Sequence, residues 1–200
     1  IESFAHFDIA FRIINGDIPF QDYWLVSGLL IDYVQAVFFK AFGQNFQVYI
    51  FHASLINCLL TITTFYILKN FNLNIYQCFF YSLCFAILGY TTSGTLYVDH
   101  HSSLLCLLAV YCLIMALKTD KKKFLILLPV ILGLAFLTKS APSVYVFFSV
   151  SLILILYIFI KKRLNWLFYL IFSSFFFIIF ILLFFDFANI KLENFFEQYI

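Results

Sequence analysis

Residues 94–103 read GTLYVDHHSS and lie between two long apolar runs. An acid, two imidazoles and two hydroxyls in succession offer a general base, proton carriers or metal ligands at a membrane–water boundary. Asp99 also suits the N-cap of a helix starting near His101, where its carboxylate would accept from free N–H groups. That role accounts for one Asp but not for two adjacent His. His100 and His101 project about 100° apart on a helix, so they would not normally chelate one ion as a pair. The metalloprotease pattern HExxH is absent.

Lys139 is the lone cation in LGLAFLTKSAPS, at a helix end. Its plain role is snorkelling to lipid headgroups. Its sharper role is binding a phosphate: an ammonium supplies a compact charge and three donors, with Ser140 and the backbone before Pro142 adding more. In NGDIPFQDYW, Asp17 is a turn former, whereas Asp22 beside Tyr23 and Trp24 suits a sugar, although such aromatics also anchor chains at interfaces. Arg12 is a further substrate-binding candidate. Glu2, next to the start of the sequence, reads as a solvated residue of the first helix.

The elements that must carry these groups are apolar. The chain is 64% hydrophobic and 11% charged, against about half and a quarter for a soluble domain. Runs of spanning length recur at roughly 47–68, 74–91, 101–117, 124–138, 143–160 and 164–185, the fourth short for a span. The expected fold is an all-α, polytopic transmembrane helix bundle with two amphipathic juxtamembrane helices in the first external loop. Residues 1–46 would form that loop, 47–185 a bundle of about six helices, and 186–200 the start of a further extracytoplasmic segment. A start on Ile1 without Met and an end in a polar stretch imply a missing preceding helix and C-terminal part.

In the first loop, Phe4, Phe7, Phe11 and Ile14 share a helix face, with Glu2, Asp8, Arg12 and Asn15 away from it. Gly16 to Pro19 breaks that helix. A second helix over 28–42 would have an apolar stripe of Leu29, Leu30, Tyr33, Val34, Val37, Phe38 and Ala41, with Asp32, Gln35 and Lys40 opposite. Both helices are expected to lie along the membrane surface. Cys58, Cys78, Cys84, Cys106 and Cys112 make no CxxC pair and read as small apolar residues.

The breaks near Lys69, at 118–123 and at 161–163 hold most of the Lys and Arg, so the positive-inside rule makes them cytoplasmic. Every Asp and Glu except Asp120 then falls on the outer side, with His6, His100, His101 and Lys139. A membrane anchor does not need that grouping; a site at the outer leaflet does.

The series AFRIINGDIPFQDYW, VFFKAFG, LYVDHHSSLLCLLAVY and LGLAFLTKSAPSVYVF resembles, in order and spacing, the GT-C glycosyltransferases, and within them bacterial enzymes related to aminoarabinose transferases and protein mannosyltransferases. The resemblance covers most of the chain. It implies a polyprenyl-phosphate sugar donor bound in the outer half of the membrane. It implies a catalytic acid in the first external loop, matched by Glu2, with Ile1 where the family usually has a preceding Asp. Asp99 matches the acid opening the helix after the third span, and Lys139 a donor-phosphate lysine. Ser27-Gly28-Leu29 replaces the family's Lys-Pro-Pro or Gly-Pro.

The chemistry fits that resemblance. Charge developing on the leaving phosphate requires a cation, such as Lys139 or a divalent metal. The acceptor hydroxyl requires a base on the opposite face of the anomeric carbon, and one in-line displacement inverts that centre. No Gly-rich phosphate loop or DxD pair supports nucleotide-sugar chemistry. The palmitoyltransferases with an Asp-His-His-Cys motif are excluded, because Ser102 replaces their nucleophile and the zinc cysteines are missing.

The expected function is transfer of a sugar from a polyprenyl-phosphate donor to an acceptor at the extracytoplasmic face. The residues assigned to it are Glu2 and Asp99 as catalytic acids, and Lys139, His100, His101, Asp22 and Arg12 as substrate contacts. The expected location is a bacterial inner membrane, with the site facing outward, membrane lipids as neighbours and no nucleic-acid partner. The alternatives are a transporter or flippase, which would need ionisable groups inside the spans, and a non-catalytic scaffold.

Overall fold

The computed structural model describes residues 2–25, 27–89 and 94–199, without the side chains of residues 2 and 3. The helices in chain order are α1 (Glu2–Asn15), α2 (Leu30–Phe42), α3 (Phe46–Asn70), α4 (Ile75–Leu88), α5 (Val98–Thr119), α6 (Lys122–Thr138), α7 (Ser140–Lys161), α8 (Asn165–Phe187) and α9 (Leu192–Tyr199). No strand occurs among the described residues. The protein is an all-α polytopic helical bundle.

Local chemistry sets the helix boundaries. The Asn45 side chain accepts from Val48 N–H at 2.9 Å and starts α3. Asn74 and Gln77 form a reciprocal capping box that starts α4. Each side chain satisfies a backbone group that has no partner within the first helical turn. Asn72, Asp120 and Lys162 adopt left-handed φ in the short connections after α3, α5 and α7, allowing the chain to reverse within a few residues.

Among the described residues, four helices are long and apolar enough to cross a membrane: α3, α5, α7 and α8. α4 has 14 residues, about 21 Å at the helical rise, less than a hydrocarbon core of about 30 Å. The apolar run around it extends to position 91, but residues 90–93 lie outside the described set. α6, with 17 residues, ends at Thr138, where the sequence places the end of a short fourth segment.

The chain divides into two compact units. The first combines Ile1–Asn15 with Ile31–His101, and the second Gly16–Leu30 with Ser102–Ile200. In the first, Ala10, Ile31, Phe39, Tyr49, Ala53 and Leu96 form an apolar centre against which Phe7 packs. The Phe7 ring meets Phe39 and Tyr49 edge-on, with centroids 4.7 and 5.7 Å away.

Helices α1 and α2 are rotated from the faces read in the sequence. α1 buries His6 and Ala10, while Phe4 and Phe11 are exposed. α2 buries Ile31, Asp32, Gln35, Ala36 and Phe39, while Val37 is 65% exposed. The supposed solvent face of α2 is therefore partly its inner face. The reason is that Asp32 and Gln35 have buried histidine partners, which the apolar pattern does not encode.

In the second unit, α5 to α8 surround a centre that includes Ala109, Leu113, Leu125, Leu128, Val150, Leu154, Ile158 and Trp166. A Cβ on Gly133 would lie 2.1 Å from the Phe177 ring, so glycine is what lets α8 lie close on α6. Ser173 donates to the Ile126 carbonyl at 2.5 Å along the same contact. The outer faces of α7 and α8 carry exposed Phe, Leu and Ile, the surface expected against lipid tails.

Cys78, Cys106 and Cys112 are buried, and all five cysteines are free. Cys58 instead sits on an exposed face of α3.

Candidate active site

Within the second unit, the polar groups collect at two ends of the helices. At one end Arg163 Nη1 lies 2.8 Å from Asp120 Oδ2, and Trp166 Nε1 donates to Asp120 Oδ1 at 3.2 Å, joining the 118–123 and 161–163 connections. At the other end lie the α6–α7 break, the 16–30 loop and α9.

Lys139 alone separates α6 from α7. Its backbone is extended (φ −155°, ψ 129°) and its N–H still donates to Ala135 O at 3.0 Å. Its carbonyl accepts from Ser143 Oγ at 2.7 Å and lies 3.4 Å from buried Ser102 Oγ on α5. The lysine is half-buried. The N-terminus of a long helix, α7, begins at the next residue, so its dipole adds positive character at this break. Pro142 fits the first turn because no N–H is required there.

The 16–30 loop is held against this break. Gly28 N–H donates to Thr138 O at 2.9 Å, and a Cβ on Gly28 would lie 1.8 Å from Leu137 O. The Phe20 carbonyl accepts from both Asn194 and Gln198 of α9 at 3.0 Å, and Gln21 donates to Asn189 O at 2.5 Å. Tyr199 donates to the Phe136 carbonyl. Burial pushes the Tyr199 phenol above its ordinary range, keeping it a neutral donor.

Asp22 is exposed, and its Oδ2 accepts from Ile18 N–H at 2.6 Å, which tightens the turn around Pro19. That is a turn-forming role. Trp24 is 67% exposed beside it.

In the first unit, Asp99 lies in the first turn of α5 rather than ahead of it, because the helix starts at Val98. There it complements the helix dipole as a helical residue instead of an N-cap. His100 donates through Nε2 to the Gly89 carbonyl. His101 is buried, donates to Tyr97 O at 3.2 Å, and places its ring 5.4 Å from that of His52. Arg12 pairs with Asp8 at 2.9 Å on an exposed helix face, an i,i+4 contact of small energetic value. The Glu2 side chain lies outside the described residues, though Glu2 opens α1 four residues before His6.

Sequence reasoning missed a buried polar cluster in this unit. His6 Nδ1 lies 2.7 Å from Asp32 Oδ1, and His52 Nδ1 donates to Gln35 Oε1 at 2.9 Å. Asp32 and Gln35 are fully buried, and His6 and His52 nearly so. Burial raises the Asp32 carboxyl above its ordinary value, opposed by the hydrogen bond and charge of His6. Asp32 Oδ2, Gln35 Nε2 and His101 Nε2 have no protein hydrogen-bond partner. The available signal was an acid and an amide at i,i+3 on α2, in a chain that puts His6, His100 and His101 on the same predicted side. No group of three or more His, Cys, Asp or Glu among the described residues is arranged to hold a metal ion.

Helices long and apolar enough to cross a membrane, with a loop-covered break at Lys139, define an integral membrane protein. Residues 26–184 match the dolichyl-phosphate-mannose-protein mannosyltransferase family. The chain belongs to that family and is a membrane glycosyltransferase of the GT-C type. No curated protein and no solved structure matches it.

Proposed function

We propose that this protein transfers a sugar from a polyprenyl-phosphate donor to an acceptor at the extracytoplasmic face of a bacterial inner membrane, with inversion at the anomeric carbon. The family match over residues 26–184 carries this reading. Lys139, standing at the α6–α7 break with the start of α7 beside it, supports it.

In this reading Lys139 neutralises the charge that develops on the donor phosphate as the sugar departs. Asp99 or Glu2 takes the proton of the acceptor hydroxyl as its oxygen attacks the anomeric carbon. The bond from that carbon to the phosphate oxygen breaks, and the polyprenyl phosphate leaves. The positive end of the α7 dipole adds to the charge of Lys139. Asp22, with its turn-forming hydrogen bond, and Arg12, paired with Asp8, have lesser roles.

Asp99→Asn and Lys139→Ala, each made in the full-length protein, test the assignment. Each is expected to cut transfer by about a hundredfold or more while leaving membrane insertion intact. Full activity in both variants overturns the site.

A further inference from the structure

Burying an acid is costly, and the first unit buries Asp32 completely. An apolar contact of the same volume would hold α1 on α2 at lower cost. What it would lack is direction. The 2.7 Å contact from His6 Nδ1 to Asp32 Oδ1 fixes α1 in rotation as well as in position. The 2.9 Å hydrogen bond from His52 to Gln35 does the same between α3 and α2. His52 lies between Phe38, stacked at 4.7 Å, and the His101 ring at 5.4 Å. His100 holds the same turn of α5 to the Gly89 carbonyl.

The cluster thus indexes two places along the chain. Glu2 lies four residues before His6 on α1, hence on the same helical face. Asp99 immediately precedes His100 and His101 in the first turn of α5. Turning either helix by one residue would carry its acid about 100° around the axis.

We propose that Asp32 and Gln35 are positioning residues for the transfer reaction, acting through His6 and His52 to fix the helical turns that carry Glu2 and Asp99. The inference rests on the reading of those two acids given under Proposed function. It assigns Asp32 and Gln35 no contact with either substrate.

The deciding comparison uses the full-length protein and a polyprenyl-phosphate sugar that the wild type consumes. The double variant His6→Leu/Asp32→Leu keeps apolar packing and removes direction. It is expected to lower kcat roughly a hundredfold, with the donor KM within about threefold of wild type. Its unfolding midpoint should stay near the wild-type value. Asp32→Asn, whose amide oxygen still accepts from His6, should recover kcat to within about tenfold of wild type. Unchanged kcat in the double variant means that the cluster only holds the fold, and overturns the proposal. So does an Asp32→Asn loss as deep as that of the double variant.

A second measurement does not depend on catalysis. Asp32→Ala should speed amide exchange across residues 4–14 by about tenfold or more. Unchanged exchange overturns the proposal whatever the donor assay gives. If the wild type consumes no polyprenyl-phosphate sugar, the donor reading fails, and this exchange result decides whether Asp32 seats α1.

Discussion

Gly28 donates its backbone N–H to the carbonyl of Thr138 across 2.9 Å, so the loop after α1 meets the end of α6 backbone to backbone. The sequence reading treats Ser27-Gly28-Leu29 only as a departure from a family pattern. The contact gives it a physical reason, because a Cβ at Gly28 would lie 1.8 Å from a carbonyl oxygen that cannot swing aside like a side chain.

Gly28→Ala is therefore expected to destabilise the protein by about 2 kcal/mol or more and to reduce transfer, as the loop shifts off the Lys139 break. Gly16→Ala provides the comparison: Gly16 has φ +99° but nothing within 4 Å of a built Cβ, so its cost is limited to backbone strain of about 1–2 kcal/mol. Thermal unfolding in detergent measures both. A Gly28→Ala midpoint above that of Gly16→Ala would contradict the contact.

Asp32 predicts a pH dependence. Burial holds its carboxyl above the ordinary 3.8. A raised acid favours the folded state while protonated, so its contribution is complete below 3.8 and is lost as pH rises through the raised value. Asparagine does not titrate. The unfolding midpoint of Asp32→Asn should therefore improve relative to wild type as pH rises above 3.8. A gap that stays constant with pH would show that the buried carboxyl does not behave as described.

The alternation of loops makes a prediction about sidedness. In a Cys58→Ala background, a cysteine at Asp17 should react with a membrane-impermeant maleimide added to intact cells. A cysteine at Lys162 should react only after lysis. Reversed accessibility would place the Lys139 break on the cytoplasmic side and remove the extracytoplasmic donor from the account.

How much the sequence disclosed depends on which force set each feature. Long apolar runs are the direct expression of burial in lipid, so α3, α5, α7 and α8 were legible to within a few residues. The break at Lys139 was legible because a charge there interrupts an otherwise apolar stretch. The inner face of α2 was not. Asp32 and Gln35 look like a solvent-facing stripe until His6 and His52, 26 and 17 residues away, are placed against them. Long-range polar pairing leaves no periodicity in a single helix. The start of α5 was misplaced: Asp99 read as a cap, whereas it lies in the first helical turn.

Donor consumption tests the central claim most directly. The purified full-length protein is incubated in parallel with polyprenyl-phosphate sugars and with nucleotide sugars, and loss of each donor is followed. The account predicts that a polyprenyl-phosphate sugar is consumed by the wild type, that Lys139→Ala slows this sharply, and that every nucleotide sugar is left intact. Consumption of a nucleotide sugar, with the lipid-linked donors untouched, would contradict it.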